Sequence, residues 1–149
     1  MKIYIAADHG GFELKETLVK YLSVSGAPVV DMGPKEYNPD DDYPKLVEPA
    51  MKKVLEDPEN RAILICRNGV GVSMVANKFD GIRAGLSWTP EHAKASRTND
   101  NTNVLGLPAD YVSTQDALKI ISTWLETEFS PDPRHQRRLD EIASLEARQ

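Results

Sequence analysis

Two periodicities alternate along the chain. Short apolar runs are followed by segments in which apolar residues return every three or four positions. Ile3-Tyr4-Ile5-Ala6-Ala7 predicts a first strand, and Leu14, Leu18, Tyr21 and Leu22 predict a helix that Gly26 stops. Pro28-Val29-Val30-Asp31-Met32 predicts a second short strand. Residues 33–43 hold Pro, Gly, Asn and three successive aspartates and predict a loop, after which Pro44 opens a helix to about Leu55. Ala62-Ile63-Leu64-Ile65-Cys66 is the most apolar strand, fit for the middle of a sheet covered on both faces. A turn at 69–71 and a short helix over 72–78 come next, then a strand over 82–86, a helix after Pro90 and a strand over 103–107. Ser113 with Asp116 three residues on is a capping signature for a helix through Trp124. The order βαβαβαβαβα, with right-handed crossovers, makes a parallel sheet sandwiched by helices.

Residues 127–149 are too polar for a core and predict an arm ending in a helix, so 1–149 reads as one domain with a C-terminal arm. The chain has 149 residues, 40% hydrophobic and 28% charged, which excludes a disordered protein, a coiled coil and a collagen. A net charge of -5 opposes nucleic acid and anionic lipid unless positive charge is concentrated locally. One cysteine excludes an internal disulfide. The first apolar run is too short for a signal peptide and none approaches a transmembrane span. The expectation is a cytoplasmic protein with no nucleic-acid or membrane partner.

In parallel sheets of this kind ligands sit at the carboxyl ends of the strands, so the loops leaving those ends hold the candidate chemistry. After the first strand, Asp8-His9-Gly10-Gly11 lets backbone approach a ligand and presents a helix start to an anion; the alternative is that Asp8 or His9 only caps that helix. After the third strand, Cys66-Arg67-Asn68-Gly69-Val70-Gly71-Val72-Ser73 could form an anion-binding nest. It is neither a P-loop nor a dinucleotide fingerprint. Cys66 sits where a thiolate would gain from the N–H dipoles of the turn, or else it is an inert core residue. Thr98-Asn99-Asp100-Asn101-Thr102-Asn103 is rich in amides, which read hydroxyl groups well but also favour turns. In Asp132-Pro133-Arg134-His135-Gln136-Arg137-Arg138 three arginines crowd the positive end of a helix, with Arg134 and Arg138 on one face. That arrangement suits a phosphate or carboxylate clamp better than a solvated patch. His9, His92 and His135 lie far apart without a metal-ligand spacing.

These motifs, in this order, resemble ribose-5-phosphate isomerase type B, in the superfamily that includes the galactose-6-phosphate isomerase subunits. The matching segments run from Asp8-His9-Gly10-Gly11-Phe12-Glu13-Leu14-Lys15 through Asp42-Tyr43-Pro44, the Cys66 turn, Ala76-Asn77-Lys78, Gly81-Ile82-Arg83-Ala84 and Asn103-Val104-Leu105 to Arg134-His135-Gln136-Arg137-Arg138. The resemblance implies a Rossmann-like five-stranded sheet, a homodimer or tetramer with an active site shared between subunits, and a small sugar phosphate as ligand. It implies aldose–ketose isomerisation through a cis-enediolate, with no metal and no organic cofactor. Cys66 would be the base, and the backbone of Gly69, Val70, Gly71, Val72 and Ser73 would hold the enediolate oxygens. Asp8 and Asn103 would bind sugar hydroxyls, Tyr43 would pack on the sugar, and His9, Arg134 and Arg138 would hold the phosphate.

Three departures from the family pattern matter. Cys-Gly-Thr-Gly is replaced by Cys66-Arg67-Asn68-Gly69, which puts a cation and an amide beside the base. Asn99 stands where the family has a ring-opening histidine, and an amide cannot act as general acid or base. Asp110 stands where an arginine often helps bind phosphate. Either Arg67 supplies the missing charge and His92 or water opens the ring, or the substrate needs no ring opening, as with a tetrose 4-phosphate. A hexose 6-phosphate and a non-catalytic sugar-phosphate-binding subunit are the other readings.

Overall fold

The computed structural model describes residues 1–148; Gln149, the last residue of the predicted arm, lies outside them. The elements are β1 (Ile3–Ala7), α1 (Phe12–Val24), β2 (Val29–Asp31), α2 (Tyr43–Val54), β3 (Arg61–Cys66), α3 (Val70–Ala76), β4 (Ala84–Leu86), α4 (Pro90–Asp100), β5 (Val104–Pro108), α5 (Thr114–Glu126) and α6 (Pro133–Glu146). The strands form one five-stranded sheet in the order β2-β1-β3-β5-β4, and every pairing is parallel.

Strand side chains alternate between faces, and this splits the core in two. Ile3, Ile5, Ile63, Ile65, Leu105 and Leu107 meet Leu18 and Leu22 of α1 and Ile120, Ile121 and Trp124 of α5. Tyr4, Ala6, Ala62, Leu64 and Cys66 face the other way, onto Val47, Met51 and Val54 of α2 and Val72 and Ala76 of α3. The alternation therefore turns Cys66, the last residue of β3, toward α2 and α3.

Three predicted boundaries move. β4 starts at Ala84 rather than residue 82, because Arg83 turns its backbone to Asn103: its N–H donates to Asn103 Oδ1 at 2.8 Å and its carbonyl accepts from Asn103 N–H at 3.1 Å. Thr98 to Asp100 complete α4 instead of forming a turn, and Asn101 ends it in the left-handed conformation at φ 46°. α3 starts at Val70, two residues early, because Gly69 at φ 72° turns the chain directly into the helix.

α6 buries none of its residues. Glu146 accepts from Gly81 N–H at 3.0 Å, and Leu139, Ile142 and Glu146 share a cavity of about 430 Å³ with Arg83, His92 and Asp100. No helix among the described residues is long and apolar enough to cross a membrane.

Candidate active site

The strand order reverses between β1 and β3, so the loops leaving their carboxyl ends diverge and leave a crevice. A cleft of about 500 Å³ opens there. Its walls come from the β1–α1 loop (Asp8, His9), the start of α2 with the residues before it (Asp41, Asp42, Tyr43), and β3 with the turn beyond (Cys66, Arg67, Asn68, Val70, Gly71, Met74).

Cys66 is 5% exposed and lines the cleft. The Gly69 N–H donates to its Sγ at 3.2 Å, which fixes the sulfur at the amide-rich turn. Asn68 Oδ1 accepts from Val70 N–H at 3.0 Å and lies 3.9 Å from Sγ. The amide thus closes the turn through a local side-chain bond. The N–H groups of Gly71 and Val72, in the first turn of α3, have no acceptor among the described residues. Val72 itself is core at 1% exposure and is not among the wall residues of the cleft. Ser73 is engaged beneath the turn: its hydroxyl donates to Gly69 O at 2.8 Å. Tyr43 packs closely against Gly71, where an added Cβ would come within 2.6 Å of the ring.

Asp8 is buried, and its Oδ1 accepts from Gly10 N–H at 2.9 Å and Gly11 N–H at 3.2 Å. It closes the β1–α1 turn and faces the cleft at the same time. His9 binds Asp41 Oδ1 with both its main-chain N–H and its ring Nδ1, each at 2.9 Å. The Asp41 carboxylate holds the imidazole above its ordinary pKa, against a downward effect of burial; Asp8 adds to the rise and Arg67 opposes it. Arg67 lies 3.7 Å from Asp110, so each partly offsets the other's charge.

Four expected residues do not reach this cleft in their own chain. Asn103 precedes β5 at the amino end of the strands, whereas the cleft lies at their carboxyl ends. Each end of its amide makes one local bond there, Oδ1 accepting from Arg83 N–H at 2.8 Å and Nδ2 donating to Gly81 O at 2.9 Å. Asn99 is exposed on the last turn of α4. Arg134 and Arg138 are exposed on α6. Arg134 is bonded to Asp132 at 2.8 Å and holds that carboxyl far below the usual carboxylate range, so Asp132 both caps the helix and offsets its basic first turn. His92 lines the separate α6 cavity, with Nδ1 3.0 Å from Ser87 Oγ and its ring stacked on Trp88.

Sequence reasoning missed Asp41, Asp42 and Met74 as wall residues. Three aspartates in a loop carry the signal of a solvated turn, and only the pairing across 32 residues with His9 singles out Asp41. Among the described residues no group of three or more His, Cys, Asp or Glu side chains is arranged to hold a metal ion.

Residues 3–142 match the family model described as Ribose/Galactose Isomerase. The chain belongs to the ribose/galactose isomerase family. Within it, the chain is 36% identical to ribose-5-phosphate isomerase B of Mycolicibacterium paratuberculosis over 98% of its own length and 92% of the relative's. It is 39% identical to the probable ribose-5-phosphate isomerase B of Mycoplasma pneumoniae, covering 97% and 94%. Among solved structures it is similar to ribose-5-phosphate isomerase B of Mycoplasma genitalium with bound ribulose 5-phosphate, at a TM-score of 0.94, 38% identity and 99% and 97% coverage. The Clostridium thermocellum enzyme of the same name gives 0.94 at 36% identity, covering 99% of each chain.

Proposed function

We propose that this member of the ribose/galactose isomerase family is a cofactor-independent aldose–ketose isomerase that interconverts ribose 5-phosphate and ribulose 5-phosphate. The observation that carries the reading is that Cys66 lines a cleft with the Gly69 N–H on its sulfur, and that Gly71, whose N–H has no acceptor among the described residues, lines the same cleft. A hydrogen on the carbon next to a carbonyl is weakly acidic, so removing it needs a base and preorganised donors for the developing oxyanion. Cys66 as thiolate takes the proton from C2 of the open-chain aldose, giving a cis-enediolate. The Gly71 and Val72 amides hold its oxygens. Returning the proton to C1, with the hydroxyl proton passing from O2 to O1, gives the ketose. Tyr43 packs on the sugar and Asp8 receives one of its hydroxyl groups. Incubation with ribose 5-phosphate in D₂O is expected to put deuterium at C1 of the ketose and, on return, at C2 of the aldose. Binding without exchange would reduce the chain to a sugar-phosphate-binding subunit.

The phosphate grip within one chain consists of His9 and of Arg67, whose charge is shared with Asp110. We infer that Arg134 and Arg138 complete it from a second copy of the chain, in a homodimer whose sites are shared. Val70, Met74, Trp88 and Tyr111 are exposed apolar side chains in and beside the cleft, which supports a second copy covering it.

A tetrose 4-phosphate is favoured by one observation. Asn99 offers no titrating group for ring opening and His92 lies in a different cavity, whereas a tetrose 4-phosphate cannot close a furanose through its phosphorylated oxygen. Comparing kcat/KM for four- to six-carbon sugar phosphates decides between the substrates.

A further inference from the structure

Asp41 is built into the wall of the cleft in a way its loop position does not require. Its side chain is 9% exposed. Oδ1 accepts from His9 twice, once from the main chain and once from ring Nδ1. Oδ2 is fully buried and has no hydrogen-bond partner among the described residues. A buried carboxylate with one bare oxygen is costly unless a positive charge lies against it. The imidazolium form of His9 supplies that charge, whereas a neutral ring would leave the carboxylate only hydrogen-bond dipoles. The bond to Nδ1 also fixes the ring plane and leaves Nε2 as its free nitrogen.

The groups around His9 agree with this. Asp8, on the same loop, favours the cation, and Arg67, from the β3–α3 turn, disfavours it. Asp42, Tyr43 and Cys66 line the same cleft from α2 and β3. With Arg67 close to Asp110, His9 is the cation that the cleft itself holds in place.

We propose that Asp41 is a positioning residue, which fixes the His9 ring in one orientation and compensates its charge so that Nε2 meets the substrate phosphate as a charged donor. The proposal rests on the assignment of His9 to the phosphate. It explains how a chain with an acid at the family's arginine position retains a cation within its own cleft.

The test uses the full chain with inorganic phosphate as the probe. The His9 imidazole is titrated by NMR, and inhibition by phosphate is measured from pH 5.5 to 9, in the parent and in Asp41→Asn. In the parent, His9 is expected to titrate above the ordinary imidazole value. In the variant its midpoint falls, and phosphate inhibition at alkaline pH weakens by about tenfold for each unit of that fall. At pH 5.5, where both rings are charged, the two proteins bind phosphate alike, and kcat changes much less than KM. A purely structural role for Asp41 would weaken binding equally at every pH. A His9 midpoint that does not move in Asp41→Asn overturns the positioning role. A midpoint that falls while phosphate inhibition does not follow it removes His9 from the phosphate, and so overturns the underlying reading and the proposal with it. If the variant does not fold, the parent still decides: a His9 midpoint at or below the ordinary value overturns the proposal.

Discussion

Cys66 shows how far single residues decide this site. Its sulfur is held by one backbone N–H and faces the cleft because β3 ends on the α2/α3 side of the sheet. Cys66→Ala removes the proposed base but leaves His9 and Arg67 untouched. Turnover is expected to fall by about 10³-fold, while inorganic phosphate competes as before; steady-state kinetics with phosphate as inhibitor checks both. Gly71 is the second such residue, since the Tyr43 ring occupies the space of its missing side chain. Gly71→Ala displaces the ring over the sugar and is expected to lower kcat/KM by up to about 10²-fold, measured beside the unfolding midpoint to separate it from general instability. His9 gives the pH dependence its sign. Its pKa is raised in the folded chain, so its pairing with Asp41 stabilises the protein fully below the ordinary imidazole value and is lost as pH rises through the raised one. Substrate affinity is expected to decline over that same alkaline window, read as a rising KM. Tyr43 came only from the family resemblance, whereas Asp8, His9 and Cys66 were legible in the sequence because each sits where a strand runs into a helix. Asp41 was not, because its role comes from a contact made 32 positions away.

At the scale of elements, local signals set most boundaries and long-range bonds set the rest. Ser113 accepts from Asp116 N–H at 3.1 Å, as its sequence signature implies, and α5 begins one residue later. The amide-rich run from Thr98 to Asn103 is different, because local preference favours a turn there. Arg97 overrides it by donating to Asn101 Oδ1 at 2.7 Å and Thr102 O at 2.6 Å, which extends α4 to Asp100. Burial pushes the Arg97 guanidinium down to about 10, with Arg61 and Arg83 adding to the effect, so it remains a cation at neutral pH. Asn103 makes local bonds to Arg83 and Gly81 at the amino end of β5, which the sequence does not reveal until the strand's direction is known. Thr102 also accepts from Trp124 Nε1 at 2.8 Å, which ties α5 to the end of α4 across the core. Trp124→Phe keeps most of the packing and loses that bond. It is expected to cost about 1–2 kcal/mol, seen as a lower denaturant midpoint, with kcat little changed because the bond lies near the amino ends of the strands, away from the cleft at their carboxyl ends.

The molecule as a whole presents a cleft with the proposed base, the turn that follows it and one imidazole held by Asp41, while the arginines proposed for the clamp stand on another surface. Arg134 already has Asp132 as its counterion, but Arg138 has no ion partner among the described residues, which makes it the freer of the two for a phosphate. Arg138→Ala alone is expected to raise KM by about tenfold or more, the scale of one charged hydrogen bond. That result would not say which chain's site the arginine serves. A mixed dimer does. If Arg138 reaches the partner's cleft, pairing a Cys66→Ala chain with an Arg138→Ala chain puts both defects in one site and neither in the other. Differently tagged chains, co-purified, should then recover about half the parent's activity per dimer, from two variants that are each impaired when pure. If Arg138 instead serves its own chain, every site in the mixed dimer carries one defect. Activity at low substrate then stays at the level of the two pure variants, which would return the clamp to a single chain and require α6 to swing toward the Cys66 cleft.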